Sequence, residues 1–270
     1  MKIFAIRDEE DISKKNLAFL LYYENSKQFY IEVPAEADPW ETPLLIETFV
    51  KRGERTIGAY WSRLWVQQRI IPTDRQNLGQ ILKENHLEAY DEYDLLMLGE
   101  GRCAQDHYYL VPISEEELPD EVWKRTEKRI EEIVPLNNGK ILVMFRNGEI
   151  RKCDIKQIIG KNLRFDAILD NFQLFSGVKI QTGGYGISWG EGLDISNERL
   201  YACGEYIPLL MEDFVQFVSG SVVNTSEATE LLGCSRQNID DLIRREKLHP
   251  IKVSPQTKLF LKSEILKRKW

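Results

Sequence analysis

Hydrophobic and polar positions follow two rhythms along the chain, and the changes of rhythm mark its predicted elements. Residues 3–6 alternate as a short strand does. Two apolar runs, Ala18-Phe-Leu-Leu-Tyr-Tyr23 and Gln28-Phe-Tyr-Ile-Glu-Val33, flank the turn formers Glu24-Asn-Ser-Lys27, which predicts a hairpin. Asp38-Pro39 starts a helix, with proline at the position where its missing N–H is tolerated. That helix is predicted to run to about Lys51. Residues 77–86 place Leu78, Ile81 and Leu82 on one helical face. Residues 114–128, SEEELPDEVWKRTEK, read as a charged connector compatible with one helix.

The texture then changes. Runs at 129–136, 141–145 and 149–155 are separated by Asn137-Asn-Gly139 and Arg146-Asn-Gly148. Asn-Gly supplies the positive φ that tight hairpins demand, so both turns are expected to have it and the runs to form a three-strand meander. A helix carrying Leu169, Phe172, Leu174 and Phe175 is predicted next, then a strand at 178–180, a glycine turn and Ile187-Ser-Trp189, with Trp189 in the core. The stretches FRNGEIRKCDI, LDNFQLFSGVKI and WGEGLDISNERLY resemble the bacterial family called domain of unknown function 2442. Its pattern falls here on Gly148, Asp154, Phe175, Trp189, Gly192, Asp194 and Ile195. The resemblance covers about 75 residues and implies a protein partner, as for the antitoxin-like member of a two-gene module, rather than chemistry.

Residues 224–250, NTSEATELLGCSRQNIDDLIRREKLHP, have the pattern of two short helices. Asn224 and Glu227 have capping-box spacing. Ala228, Leu231 and Leu232 make an apolar stripe, and Gly233 permits the left-handed residue that ends the first helix. Ser235 caps a second helix with apolar Ile239, Leu242 and Ile243, completing a helix-turn-helix. Ile251-Lys-Val253 and Leu259-Phe-Leu261 are placed to pair as a β-wing, and Ser263-Glu-Ile-Leu to start a last helix. Over about 46 residues the arrangement resembles the excisionase-like, MerR-related winged helix-turn-helix family, in which the second helix enters the major groove. That resemblance sets Arg236, Gln237 and Asn238 on the exposed first turn of the reading helix. These side-chain types make bidentate contacts to guanine or adenine edges. Arg244, Arg245, Lys252 and Lys258 then contact phosphates, which position the protein without specifying sequence. Asp240 and Asp241 lie on the same helix, i, i+4 from Arg236 and Arg245, and the alternative is a solvated surface helix laced by those pairs, on a domain that docks protein.

Length and charge sharpen this picture. The chain has 270 residues, 43% apolar and 29% charged, as befits a folded multidomain α+β protein. The boundaries expected are an α+β domain at 1–120, a β-meander-rich domain at 121–210, a linker at 211–220 and the winged helix-turn-helix at 221–270. The net charge is −7, but residues 221–270 hold ten Lys and Arg against six Asp and Glu, a net of +4, leaving −11 on residues 1–220. A basic tail on an acidic body fits a binding module joined to something with another task. No apolar run reaches the ~20 residues of a membrane helix. The opening MKIFAIRDEED lacks the basic and apolar regions of a secretory leader. The expected address is cytoplasmic, with Cys103, Cys153, Cys203 and Cys234 as reduced thiols.

Few motifs carry chemistry. TGGYGISWGEG (182–192) has Trp189 where a dinucleotide fingerprint needs glycine and lacks the Walker Lys-Ser/Thr, so it reads as a turn between strands. Cys103 and His107 stand four apart in a segment that looks like a turn into a strand, with no second pair to complete a metal site. Within 60–77, Trp61 and Trp65, and Trp65 and Arg69, are one helical turn apart, with Arg63 nearby. That is either a core-facing aromatic stripe with solvated arginines or a partner or ligand patch, since Trp and Arg dominate interface hot spots. No catalytic residue, metal or cofactor is expected, and no enzymatic activity. The expected partners are double-stranded DNA and a protein or sister subunit; the alternative is an antitoxin-like interaction protein that does not bind DNA.

Overall fold

The computed structural model describes residues 1–160, 162–190 and 192–269; Glu191 of the WGEG stretch and Trp270 of the tail lie outside the described residues. The chain packs as two units, residues 1–147 with 152–205, and residues 148–151 with 206–270. Both mix helices with small antiparallel sheets, which makes the fold α+β.

In the first unit, β1 (Lys2–Asp8), β2 (Ala18–Tyr23), β3 (Gln28–Glu32), β4 (Thr56–Ile57) and β5 (Tyr108–Ile113) form an antiparallel sheet ordered β4-β3-β2-β1-β5. The unbroken apolar runs of β1 and β2 follow from burial on both faces. Phe4, Ile6, Leu20 and Tyr22 join one core with residues of α1 (Leu44–Lys51), α2 (Ala59–Gln67) and α4 (Glu92–Leu98), beside α3 (Leu78–Glu84). Ile3, Ala5, Phe19 and Leu21 face the other way, onto Leu118 and onto Val122 of α5 (Asp120–Glu127).

The helix expected from Asp38 to Lys51 is interrupted. Asp38 caps only a 3-10 turn, Pro39–Glu41, accepting from the Trp40 N–H at 2.9 Å. Thr42 is then extended (φ −91°, ψ 153°) because Pro43 follows and its ring excludes the helical region from the preceding residue. The connector divides for the same reason, into a 3-10 turn at Glu115–Glu117 and α5, with extended Leu118 before Pro119.

The meander forms as β6 (Ile130–Leu136), β7 (Lys140–Phe145) and β8 (Ile150–Asp154). Its first turn has Asn138 and Gly139 both at positive φ (62° and 67°); at the second only Gly148 has it (80°), because that loop spans residues 146–149. α6 (Ile155–Ile159) follows. The single helix expected over 169–175 is two, α7 (Asp166–Leu169) and α8 (Phe172–Ser176), because the Asn171 side chain accepts from Gln173 and Leu174 N–H groups and starts a new helix. β9 (Lys179–Ile180), β10 (Gly186–Ser188) and β11 (Asp194–Ser196) form a small sheet, and α9 (Asn197–Cys203) closes the core with Leu200. Trp189 is half-buried rather than enclosed: its indole donates to the Phe175 carbonyl at 2.9 Å and its ring meets Phe165 and Phe175, each at 5.7 Å.

The second unit contains β12 (Glu205–Ile207) from Tyr206 onward, α10 (Met211–Ser221), β13 (Val222–Asn224), α11 (Thr225–Leu232), α12 (Arg236–Arg244), β14 (Lys252–Val253), β15 (Lys258–Leu261) and α13 (Lys262–Leu266). The stretch read as a linker is thus helical. The sheet order is β13-β15-β14, over a core of Val223, Ala228, Ile239, Leu248, Phe260 and Ile265.

Candidate nucleic-acid interface

Two caps build the tail's surface. The Asn224 side chain accepts from the Ser226 and Glu227 N–H groups (2.8 and 3.1 Å), while Glu227 accepts from the Asn224 N–H at 2.8 Å. This capping box starts α11, and Gly233 ends it in the left-handed region (φ 64°). The Ser235 hydroxyl accepts from the Asn238 N–H and starts α12 after a three-residue turn. Burying Ile239 under that first turn orients the preceding residues outward: Arg236, Gln237 and Asn238 are all exposed. The Arg236 guanidinium donates to the Ser226 hydroxyl at 2.7 Å, which ties it to the start of α11.

The basic residues divide by their partners. Arg245 and Lys252 are exposed and have no ion-pair partner among the described residues. Arg244 pairs with Asp241, and Lys258 donates to Asp240 at 2.6 Å. The pairs considered from spacing, Arg236–Asp240 and Arg245–Asp241, are therefore not the ones formed. Asp240 turns instead to the wing, where Lys258 at the base of β15 comes within reach. A groove of about 320 Å³ lies between the starts of the two helices and the hairpin, lined by Ser226, Arg236, Asp240, Gln256 and Lys258 among others.

The 60–77 cluster is split by the fold. Trp65 is buried at 1% exposure, and the Arg69 guanidinium lies 3.8 Å over its ring and pairs with Asp106, so this arginine is not solvated. Trp61 and Arg63 are exposed, and Arg63 is held by Glu92. These four residues do not form one patch. Cys103 and His107 sit outside any helix, and His107 faces Glu10 at 3.5 Å. Among the described residues no group of three or more His, Cys, Asp or Glu is placed to hold a metal, and no helix is long and apolar enough to cross a membrane.

A second polar centre escapes sequence reasoning. In the first unit the five-stranded sheet meets the 129–205 segment at Arg129, which is 1% exposed. Arg129 donates to Tyr23 (2.8 Å), Tyr185 (2.5 Å) and Glu32 (3.1 Å), and Glu32 also accepts from Arg125 (3.1 Å) and Thr56 (3.0 Å). Tyr185 stacks on Tyr30 with ring centroids 3.8 Å apart. Burial, reinforced by Glu32, pushes the Tyr185 phenol well above its ordinary value. The one local signal is the glycine pair in TGGYG. A Cβ on Gly184 would stand 2.3 Å from the Ile130 carbonyl oxygen, and one on Gly183 2.5 Å from the Tyr23 hydroxyl. Those glycines admit the backbone to the Arg129 junction.

The fold and the polar surfaces define two α+β units, one organised around a buried arginine junction and one around a capped pair of helices with a β-hairpin. Residues 130–205 match the family described as "Protein of unknown function (DUF2442)", as the motifs in that segment lead one to expect. No curated protein and no solved structure matches the chain.

Proposed function

We propose that this is a DNA-binding protein, a regulator of transcription working in the cytoplasm, whose residues 222–266 act as a winged helix-turn-helix. What carries this reading is the first turn of α12: Arg236, Gln237 and Asn238 stand exposed above buried Ile239, beside a hairpin bearing Lys252 and Lys258. Helix-borne Arg, Gln and Asn match the donor and acceptor pattern of the major groove. Arg244, Arg245 and the two wing lysines supply phosphate contacts. The acidic body meets a protein partner or sister subunit. Helix α10 favours such a partner too, since Val215 and Phe217 are 57% and 60% exposed on it. The alternative, an antitoxin-like protein whose tail docks protein alone, is separated from this reading by the duplex titration below.

Fluorescence anisotropy with duplex DNA tests this directly. On a selected site, Arg236→Ala is expected to cost ~1–3 kcal/mol and to relax preference at one base position. The Ser226 bond must be given up or shared on binding, and an exchange of one exposed hydrogen bond, ~0.5–1.5 kcal/mol, is too small to cancel a bidentate base contact. Absence of duplex binding by the full chain at low salt would overturn the reading.

A further inference from the structure

Next to the Arg129 junction lies an open pocket of about 440 Å³, within the size range of small-molecule sites. It is formed by β3, β4, the start of α2 and the 181–198 segment, all within the first unit. Aromatic rings dominate it. Tyr60 and Trp61 meet edge-to-face at 5.2 Å and leave much of their surface open, 73% and 45% exposed. Tyr30 and Tyr185 add the stacked pair already described, with the far face of Tyr185 taken by the Arg129 guanidinium at 4.2 Å.

Charge is equally one-sided. Asp194 and Glu198 line the pocket, and no Lys, Arg or His does so among the described residues. Arg125 and Arg129 of the adjoining junction are committed to Glu32. Burial and the Glu32 and Glu54 carboxylates push Glu198's carboxyl above its ordinary value, against the opposing effects of Arg125 and a Thr56 hydrogen bond. A positive group entering the pocket meets two carboxylates there. The faces of Tyr and Trp attract cations through their quadrupole, and two carboxylates add to the same field. Among the described lining residues no cationic side chain is offered to an anion.

We propose that this pocket binds a small organic cation of the alkylamine or guanidine class, its charge between Asp194 and Glu198 and its hydrocarbon against Tyr60 and Trp61. Nothing in this site depends on the tail reading DNA. The chemistry is shared by free amines and by the basic side chain of a peptide, so both are tested.

The full chain is titrated by calorimetry with butylamine, with agmatine and with a blocked Gly-Arg-Gly peptide at constant ionic strength, against KCl and succinate. At least one organic cation is expected to bind saturably and succinate not at all; tighter binding of agmatine than of the peptide identifies a free ligand, and the reverse a side chain. Asp194→Asn combined with Glu198→Gln should weaken the preferred cation about tenfold or more. Trp61→Ala should weaken it as well, and thermal melts show whether each variant is folded. The pocket is overturned as a cation site if no cation saturates by about 10 mM, if the folded double variant binds as the parent does, or if succinate binds as well as the amines.

Discussion

Glu32 and Arg129, 97 positions apart, are each only 1% exposed. Charges that deep are tolerated when every oxygen and most N–H groups find partners. Glu32 has Arg125, Arg129 and Thr56, and Arg129 has two phenols besides; its Nε alone lacks a partner. Deleting one member leaves the other charged and buried. Glu32→Ala is therefore expected to lower unfolding free energy by ~3–5 kcal/mol in urea titrations, and a loss under ~1 kcal/mol would show that Arg129 finds water or another acceptor. In the tail the residue-scale question is Asp240, whose carboxylate occupies Lys258. An exposed pair is worth only ~0.2–1 kcal/mol, so phosphate can compete for that ammonium. If Lys258 contacts phosphate, Asp240→Asn should tighten non-specific duplex binding. Lys258→Ala should reduce the slope of log affinity against log salt by about 0.9. Unchanged slopes in the lysine variant would remove Lys258 from the interface.

Elements were legible where a local rule dictates them. Asn224, Glu227, Gly233 and Ser235 place both ends of α11 and the start of α12, because capping and left-handed termination act within a single turn of chain. Asn138-Gly139 places the first meander turn in the same way. The misjudged elements also have local causes: Pro43 and Pro119 straighten the residues before them, and Asn171 starts a helix where a continuous one was expected. The glycines of TGGYG differ, since their necessity comes from atoms far along the chain. Gly53, just past α1, also has positive φ (76°) but open space where a Cβ would go. Gly53→Ala should cost only ~1–2 kcal/mol, the left-handed penalty. Gly184→Ala adds to that penalty a clash with main-chain atoms of Ile130 that cannot rotate away, so thermal melts should show a distinctly larger loss. Equal losses would mean the Thr182–Gly184 turn can lift off β6.

For the whole molecule, the division of charge is the feature that bears on the proposed DNA binding. Residues 1–220 carry −11 and the tail +4, so if the chain binds duplex DNA the counterion release is expected to come from the tail. Removing 221–270 is expected to abolish duplex binding in anisotropy titrations, and the isolated tail to bind non-specifically at least as well as the full chain. Binding retained by the 1–220 fragment would place the interface elsewhere. The first unit also bears on fragments: excising 121–210 separates Arg129 and Tyr185 from Glu32, Tyr23 and Tyr30. That piece should be less stable alone than in the chain.

By itself the sequence determined the first hairpin, the first meander turn, the caps of α11 and α12, the charge split, the match at 130–205 and the outward turn of Arg236, Gln237 and Asn238. The charge split and the match are read from residue identities; the rest depend on the period of apolar residues or on bonds between close neighbours. Only the tertiary structure decided that Trp61 faces solvent while Trp65 and Arg69 go inside, that Lys258 meets Asp240, that Arg129 ties β3 to the 181–198 segment, and that aromatic rings of β3, α2 and that segment meet the segment's two carboxylates in one pocket. Those outcomes require residues 18 or more positions apart to be brought within a few ångströms, and a one-dimensional pattern does not specify which distant pair will fill a given space.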